Sequence, residues 1–261
     1  MEIVVCIKQV PDTTDVKIDP QTNTLIRQGV PSIVNPFDKH AVEAAIQLKE
    51  KHGGRVTVLS MGPPQAKEAL KECLAMGADA AVLLSDRAFG GADTLATSYT
   101  LASGIKKMGK IDLILCGKQA IDGDTAQVGP EMAEHLGFAQ FTCVAKIDVV
   151  GDKVRVHRER DDGYEVMEGF LPLVVTVVKS INEPRYGTVK STMKANRTEI
   201  PTWSVNELNV KSEKLGIKGS PTQVRRIFPP NQRLGGEMIQ AGTGREAAAI
   251  LIQKLSDAKL I

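Results

Sequence analysis

Residues 56–84 read VTVLSMGPPQAKEALKECLAMGADAAVLL. Val56 to Ser60 is a β-branched apolar run of strand length, and Pro63 to Met76 carries helical periodicity that Gly77 stops. Ala80 to Leu84 is a second apolar run. Strand, helix and strand in so short a span make a βαβ unit, because parallel neighbours need a crossover and a helix is the usual one. Both strand segments are apolar throughout, as expected where helices cover both faces of a sheet.

The same pattern extends in both directions. Upstream, Ile3 to Val10 is a β-branched run. Val16 to Gln28 reads as a small hairpin excursion around Asp19-Pro20-Gln21-Thr22-Asn23. Asn35-Pro36-Phe37-Asp38 then opens a helix with Asn as N-cap, Pro at the first position and an acid in the first turn. Ala41, Ala45, Ile46 and Leu48 form its apolar stripe, and Gly53-Gly54 ends it. Downstream come a helix at Thr94–Met108, a strand at Ile111–Cys116 and a helix at Asp124–Leu136 ended by Gly137. Strand–helix units in series predict a doubly wound α/β fold with a parallel sheet and right-handed crossovers.

Past residue 140 the character changes. Val144–Val150, Lys153–Arg160 and Tyr164–Gly169 read as an antiparallel extension joined by Gly151-Asp152 and Asp161-Asp162-Gly163. Leu173 to Val178 is a further apolar run. From Asn182 to Arg233 periodicity is weak, so the segment is functional or docked on something else. A last helix is expected at about Arg245–Lys259, with Ala248, Leu251, Ile252 and Leu255 on one face. The expected organisation is an α/β domain over 1–180, then a segment over 181–261 with a recognition loop, an arm and a terminal helix.

Composition removes several function classes. Net charge is +2, and only three Tyr and one Trp occur, so neither a basic field nor a base-stacking platform points to nucleic acid. No apolar run reaches the roughly 20 residues of a membrane span. The N-terminus is too short and charged for a signal peptide. Cys6, Cys73, Cys116 and Cys143 show no C-x-x-C spacing and read as small buried hydrophobes, consistent with a reducing cytoplasm. His40, His52, His135 and His157 share no obvious partner, and no G-x-S-x-G or H-E-x-x-H motif occurs. Asp161-Asp162 falls in a turn.

Ligands of open α/β sheets bind beyond the carboxyl ends of the strands. That rule selects four loops: Lys8-Gln9-Val10-Pro11, Ser60-Met61-Gly62-Pro63, Asp86 to Thr94, and Gly117 to Gly129. Asn35 at the first helix start can face the same crevice. In the fourth loop Gly123, Thr125 and Gly129 precede or begin a helix, where small residues let backbone N–H groups reach a phosphate; Thr125 and Gln127 can add side-chain bonds. An ordinary helix cap at Thr125 is the competing reading. Gly242-Thr243-Gly244-Arg245-Glu246-Ala247 satisfies G-x-G-x-x-A, but no strand precedes it, so Thr243 and Glu246 are expected to form a capping box. The sequence thus offers a cofactor crevice without a convincing catalytic side chain.

Several segments resemble the electron-transfer flavoprotein β subunits. Val156 to Val166 (VHRERDDGYEV), Leu171-Pro172-Leu173-Val174-Val175-Thr176 and Asn182-Glu183-Pro184-Arg185-Tyr186 look like that family's signature region. Val4 to Pro11, Asn35-Pro36-Phe37, Ala75 to Asp79 and Gly117 to Asp122 match as well, in order along the chain. The resemblance implies a Rossmann-like domain that holds an adenine nucleotide and pairs with a flavin-carrying α subunit. It places the nucleotide site on Cys6, Asn35 to Asp38, Met61 and Asp122 to Ala133; Asp122, Gly123, Asp124, Thr125, Ala126, Gln127, Val128 and Gly129 lie in that last stretch, and Lys8 and Gly62 in the strand-end loops. Asp86 to Thr97 looks like the bifurcating members, which implies FAD instead of AMP, with Gly91, Asp93, Thr94 and Thr97 lining it. Such members take a hydride from NADH, then serve an acyl-CoA-type dehydrogenase and ferredoxin or flavodoxin. The resemblance also makes Tyr186 to Ile200 a dehydrogenase recognition loop, with Arg185, Tyr186, Val189 and Met193 as contacts and Val189 in place of the usual Leu. An AMP-binding shuttle is the alternative within the family. Outside it stands an adenine-nucleotide sensor or adenylyl-transfer enzyme, against which the glycine-free Pro11 to Asp15 counts.

Overall fold

In the computed structural model, residues 1–12, 31–225 and 235–261 are described. The hairpin expected at Val16–Gln28 lies outside them. Two compact units are present, Met1–Arg225 and Arg226–Ile261.

The first unit is built on a nine-stranded sheet. In chain order the strands of the structure are β1 Glu2–Ile7, β2 Gln9–Pro11, β3 Ser32–Val34, β4 Arg55–Met61, β5 Ala80–Leu84, β6 Leu113–Gly117, β7 Ala139–Val150, β8 Lys153–Arg160, β9 Gly163–Phe170, β10 Leu173–Val177 and β11 Thr202–Trp203. The large sheet runs β11-β5-β4-β1-β6-β10-β7-β8-β9, while β2 and β3 form a separate antiparallel pair. Pairing is parallel from β11 through to β7, and antiparallel among β7, β8 and β9. The helices are α1 Pro36–His52, α2 Lys67–Met76, α3 Thr94–Met108, α4 Val128–Leu136 and α5 Val189–Arg197, with α6 Gly244–Asp257 in the second unit.

Alternation along β1 shows how the layers form. Ile3, Val5 and Ile7 pack with Ala41, Ala45 and Ile46 of α1 and Leu70 and Cys73 of α2. Val4 and Cys6 face the other way, toward Leu101 and Ile105 of α3 and Met132 and Ala133 of α4. The chain runs outward through β1, β4 and β5, then returns to β6 on the other side of β1. That reversal is the topological switch point, where such sheets bind ligands.

Local expectations and structure differ in several places, among them the expected loop Tyr186–Ile200, which contains helix α5. The run Ile3–Val10 breaks at Lys8, whose backbone N–H donates to the Asp38 carboxylate at 2.7 Å instead of continuing the ladder. The helix expected from Asp124 starts only at Val128, because Asp124 and Ala126 adopt positive φ values of 55° and 54°. The helix expected from Pro63 is a short 3-10 turn at Pro64–Ala66 followed by α2. β7 begins at Ala139, five residues early, since β10 recruits Ala139–Val144 in parallel before β8 pairs the rest. No described helix is long and apolar enough to cross a membrane.

The weakly periodic stretch up to Arg225 packs on this sheet. β11 extends the edge at β5, and Leu208 and Leu215 are buried beneath α3. In the second unit Thr243 and Glu246 form the expected capping box at the start of α6.

Candidate functional site

The carboxyl ends of β1 and β6 meet the start of α1 in a network of buried polar bonds. Asn35 occupies the N-cap position of α1, yet its side chain makes no cap bond. Its amide nitrogen donates to the Gln119 carbonyl at 2.9 Å, and its oxygen accepts the Ile121 N–H at 3.1 Å. Asp38, expected to complement the helix dipole, is buried and accepts from Lys8 N at 2.7 Å and Gly117 N at 3.0 Å. Burial pushes its carboxyl up to about 7, against the pull of those backbone donors and of Asn35. Gly117 has no room for a side chain: a Cβ would overlap the Asp38 carboxylate and Phe37.

Residues 117–127 extend from this anchor. The Lys118 N–H donates to the Val177 carbonyl at 2.8 Å and the Asp124 N–H to the Ala120 carbonyl at 2.8 Å. The Lys8 ammonium pairs with Asp122 at 2.6 Å, and the Gln119 amide donates to Asp124. Gly123, Thr125 and Gln127 are exposed at the mouth of the loop, and nothing lies within 4 Å of the place a Gly123 Cβ would take. Thr125 does not cap α4, whose N-cap position is Gln127. Gly129 serves packing: a Cβ there would stand 2.5 Å from the Thr176 methyl group of β10.

The loop after β5 joins the same edge. Asp93 caps α3 through the Ala96 N–H at 3.1 Å, and its other oxygen accepts from Thr222 N at 3.1 Å and Thr222 Oγ1 at 2.8 Å. Its own N–H donates to the Ser220 hydroxyl at 2.8 Å. Gly91 has φ 70° and lies against Ile217, so its freedom is used by the turn and by that contact. The Thr94 hydroxyl donates to Glu131 Oε1 at 3.0 Å, which ties the start of α3 to the first turn of α4. Glu131 Oε2 is buried and has no partner among the described residues. Thr97, half-buried, lies one turn into α3.

The predicted residues therefore fall into classes by what their polar atoms do. Gly123, Thr125 and Gln127 are open to a ligand, while Lys8 and Asp122 are exposed but paired with each other at 2.6 Å. Asn35, Asp38 and Asp93 are spent on main-chain donors and acceptors. Cys6 is buried against Met132, with Sγ and Sδ 3.8 Å apart, and burial raises its thiol well above the usual range. Met61 and Gly62 close the edge at β4, where the Gly62 N–H donates to the Leu84 carbonyl at 3.0 Å. The role of Gly117 is one that motif spacing missed. A glycine at the last position of a strand is its only sequence signal.

The segment expected to meet a partner divides in the same way. The Arg185 guanidinium is held within the chain, donating to Glu43 at 2.8 and 3.0 Å and to Glu50 at 2.5 and 3.0 Å. Tyr186, Val189 and Met193 instead stand out, at 94%, 80% and 52% exposure. Val189 and Met193 lie one turn apart on α5, so they share a face.

The observed groups fit a nucleotide that carries phosphates and hydroxyls. Open main chain with positive φ before a helix start suits an anion, with Lys8 beside it. The orphaned Glu131 oxygen asks for a hydroxyl donor, which a ribose or ribityl chain carries. Among the described residues no cluster of His, Cys, Asp or Glu could hold a metal ion.

Comparison with known proteins identifies the family. Residues 22–208 match the family model described as the electron transfer flavoprotein domain. The chain is 54% identical over 257 residues to the electron transfer flavoprotein subunit beta of Clostridium acetobutylicum, covering 98% of each chain. It is 54% identical over 262 residues to the caffeyl-CoA reductase-Etf complex subunit CarD of Acetobacterium woodii, covering 100% of each. Protein FixA of Azorhizobium caulinodans is 48% identical over 241 residues, covering 89% of this chain and 86% of that one.

Proposed function

This chain belongs to the electron transfer flavoprotein family, as a β subunit, and from that premise we propose that it binds FAD at the carboxyl edge of its sheet and works in electron bifurcation with an α subunit. When bound, the flavin would supply the redox chemistry, hydride acceptance from NADH and single-electron donation toward the α-subunit flavin with an acyl-CoA-type dehydrogenase and toward ferredoxin or flavodoxin. The chain's own residues bind and orient. Gly123, Thr125 and Gln127 present donors to the phosphates, and Lys8 supplies a positive charge in exchange for its pairing with Asp122. Thr94 and Glu131 bridge the starts of α3 and α4 and leave Glu131 Oε2 without a partner among the described residues, a place for a hydroxyl of the cofactor. That orphaned oxygen is the observation that carries the reading.

Other supports are weaker. The name of the Acetobacterium woodii relative joins such a subunit to an acyl-CoA-type reductase. The exposed face of Tyr186, Val189 and Met193 suits a dehydrogenase contact. The terminal segment, with α6 exposing Leu251 and Ile252, suits docking on the α subunit. Its four cysteines are free, in keeping with the cytoplasm. The test is to denature the heterodimer and quantify what it releases. FAD in both subunits supports the reading, whereas one FAD with one AMP replaces it by a simple shuttle.

A further inference from the structure

We propose that Ser220 and Thr222 are positioning residues. Acting through Asp93, they clip the returning chain to the loop of residues 86–94 and set where α3 begins, and with it the Thr94–Glu131 pair. The proposal rests on the cofactor reading above, which places a hydroxyl of the cofactor at that pair. The clip itself is a claim about the chain without ligand.

The loop is held at three points by chain that returns 119 to 129 residues later. At its start the Asp86 carboxylate accepts the Val205 N–H at 3.2 Å. At its centre Gly216, with φ 50°, passes so close that a Cβ on it would stand 2.3 Å from the Ala88 carbonyl oxygen, and Ile217 lies against Gly91. At its end the Asp93 N–H donates to the Ser220 hydroxyl at 2.8 Å. Asp93 Oδ2 accepts from Thr222 N at 3.1 Å and Thr222 Oγ1 at 2.8 Å.

Ser220 is buried, and its hydroxyl works in both directions. It accepts from Asp93 and donates to the Gly216 carbonyl at 2.7 Å. A hydroxyl can do both. Alanine would leave the two main-chain groups without a partner, and such groups are costly to leave unmade. The Thr222 bond is separable from helix capping, because Asp93 caps α3 through its other oxygen, which accepts the Ala96 N–H at 3.1 Å. Removing the Thr222 hydroxyl therefore loosens the clip and leaves the cap. Thr94 follows Asp93 directly, and its hydroxyl donates to Glu131 Oε1 at 3.0 Å, while Glu131 Oε2 is buried without a partner among the described residues. A displacement of about 0.5 Å at Asp93 is enough to take such a pair out of productive geometry.

The experiment uses the heterodimer stripped of nucleotide and compares native protein with Ser220→Ala, Thr222→Val and Thr222→Ser. Hydrogen exchange at the Asp93 amide should rise about tenfold or more in Ser220→Ala. Exchange across residues 91–93 should rise in Thr222→Val, while Val4 and Val5 in β1 stay protected. Thr222→Ser keeps the hydroxyl and should exchange as native protein does. Thr222 is exposed, so Thr222→Val decides the matter if Ser220→Ala does not fold. FAD is then titrated, with AMP as competitor to mark the β-subunit site. Affinity at that site should fall roughly tenfold in Ser220→Ala and Thr222→Val and return in Thr222→Ser. The absorption spectrum of the bound flavin should shift with it. Unchanged affinity and spectrum, even with a lowered urea midpoint, would make both residues merely structural and overturn the proposal. Unchanged exchange would overturn it too, and a loss of affinity alongside would put the two hydroxyls on the cofactor itself. Native heterodimer that binds no FAD would refute the function proposed above, and exchange at the Asp93 amide would still decide whether the clip exists.

Discussion

Asp38 and Gly117 stand 79 residues apart, and Asp38 Oδ1 accepts the Gly117 N–H at 3.0 Å. The contact closes α1 over the end of β6 and fixes where residues 117–127 begin. A Cβ on Gly117 would overlap the same oxygen and the Phe37 backbone. Gly117→Ala should therefore cost about 1–3 kcal/mol, the usual range for overpacking, read as a lower urea midpoint. Nucleotide affinity should fall with it, and an unchanged midpoint would show that α1 yields freely at Phe37.

The same carboxyl makes stability depend on pH. Burial raises the folded-state value of Asp38 to about 7, far above that of an unfolded aspartate. The folded chain therefore holds this proton more tightly than the unfolded chain does. The contribution is complete at pH below the ordinary carboxylate range and is withdrawn as pH rises through about 7. Urea unfolding at about pH 5.5 and about pH 8 should show this group lowering stability at the higher pH. Asp38→Asn, which cannot ionise, should flatten that difference.

Thr125 separates binding from capping. It is exposed and precedes Gln127, which holds the N-cap position of α4. Thr125→Ala should leave the unfolding midpoint in place and weaken nucleotide binding by roughly tenfold, the loss of one hydrogen bond to a charged group. Isothermal titration measures it; a lowered midpoint with unchanged affinity would return Thr125 to a structural role.

Arg185 and Val189 should behave oppositely despite their closeness in sequence. The Glu43 side chain is 3% exposed and paired with Arg185. Arg185→Ala strands that carboxylate and should destabilise the chain by about 3 kcal/mol. Val189 is 80% exposed, so Val189→Asp should leave stability alone. In stopped-flow measurements it should slow electron delivery to the dehydrogenase while NADH still bleaches the flavin. Normal delivery would place the docking face elsewhere, and loss of the heterodimer would assign Val189 to the subunit interface.

Strand and helix order through α4 was legible because the parallel strands there are apolar on both faces and the helices carry their own stripe and stop, whereas α5 and β11 in the weakly periodic stretch were not. Residues 56–84 announce a βαβ unit without outside help, and Gly77 ends α2 where it stands. The four strand-end loops followed from topology alone. The capping box at Thr243 and Glu246 was legible for the same reason, being a bond between neighbours in sequence.

The tertiary structure decided everything that depends on distant partners. Asn35 looks like a cap and is a clamp, because Gln119 and Ile121 arrive beside it only after β6 pairs with β1. Lys8 looks like strand and is a corner, because Asp38 competes for its N–H. Asp124 looks like helix and is held in a left-handed loop. Sequence periodicity reports which face of an element is apolar, and that was enough to order the sheet. It carries no record of which polar groups will be buried together, and those bonds shape the loop beyond the end of β6.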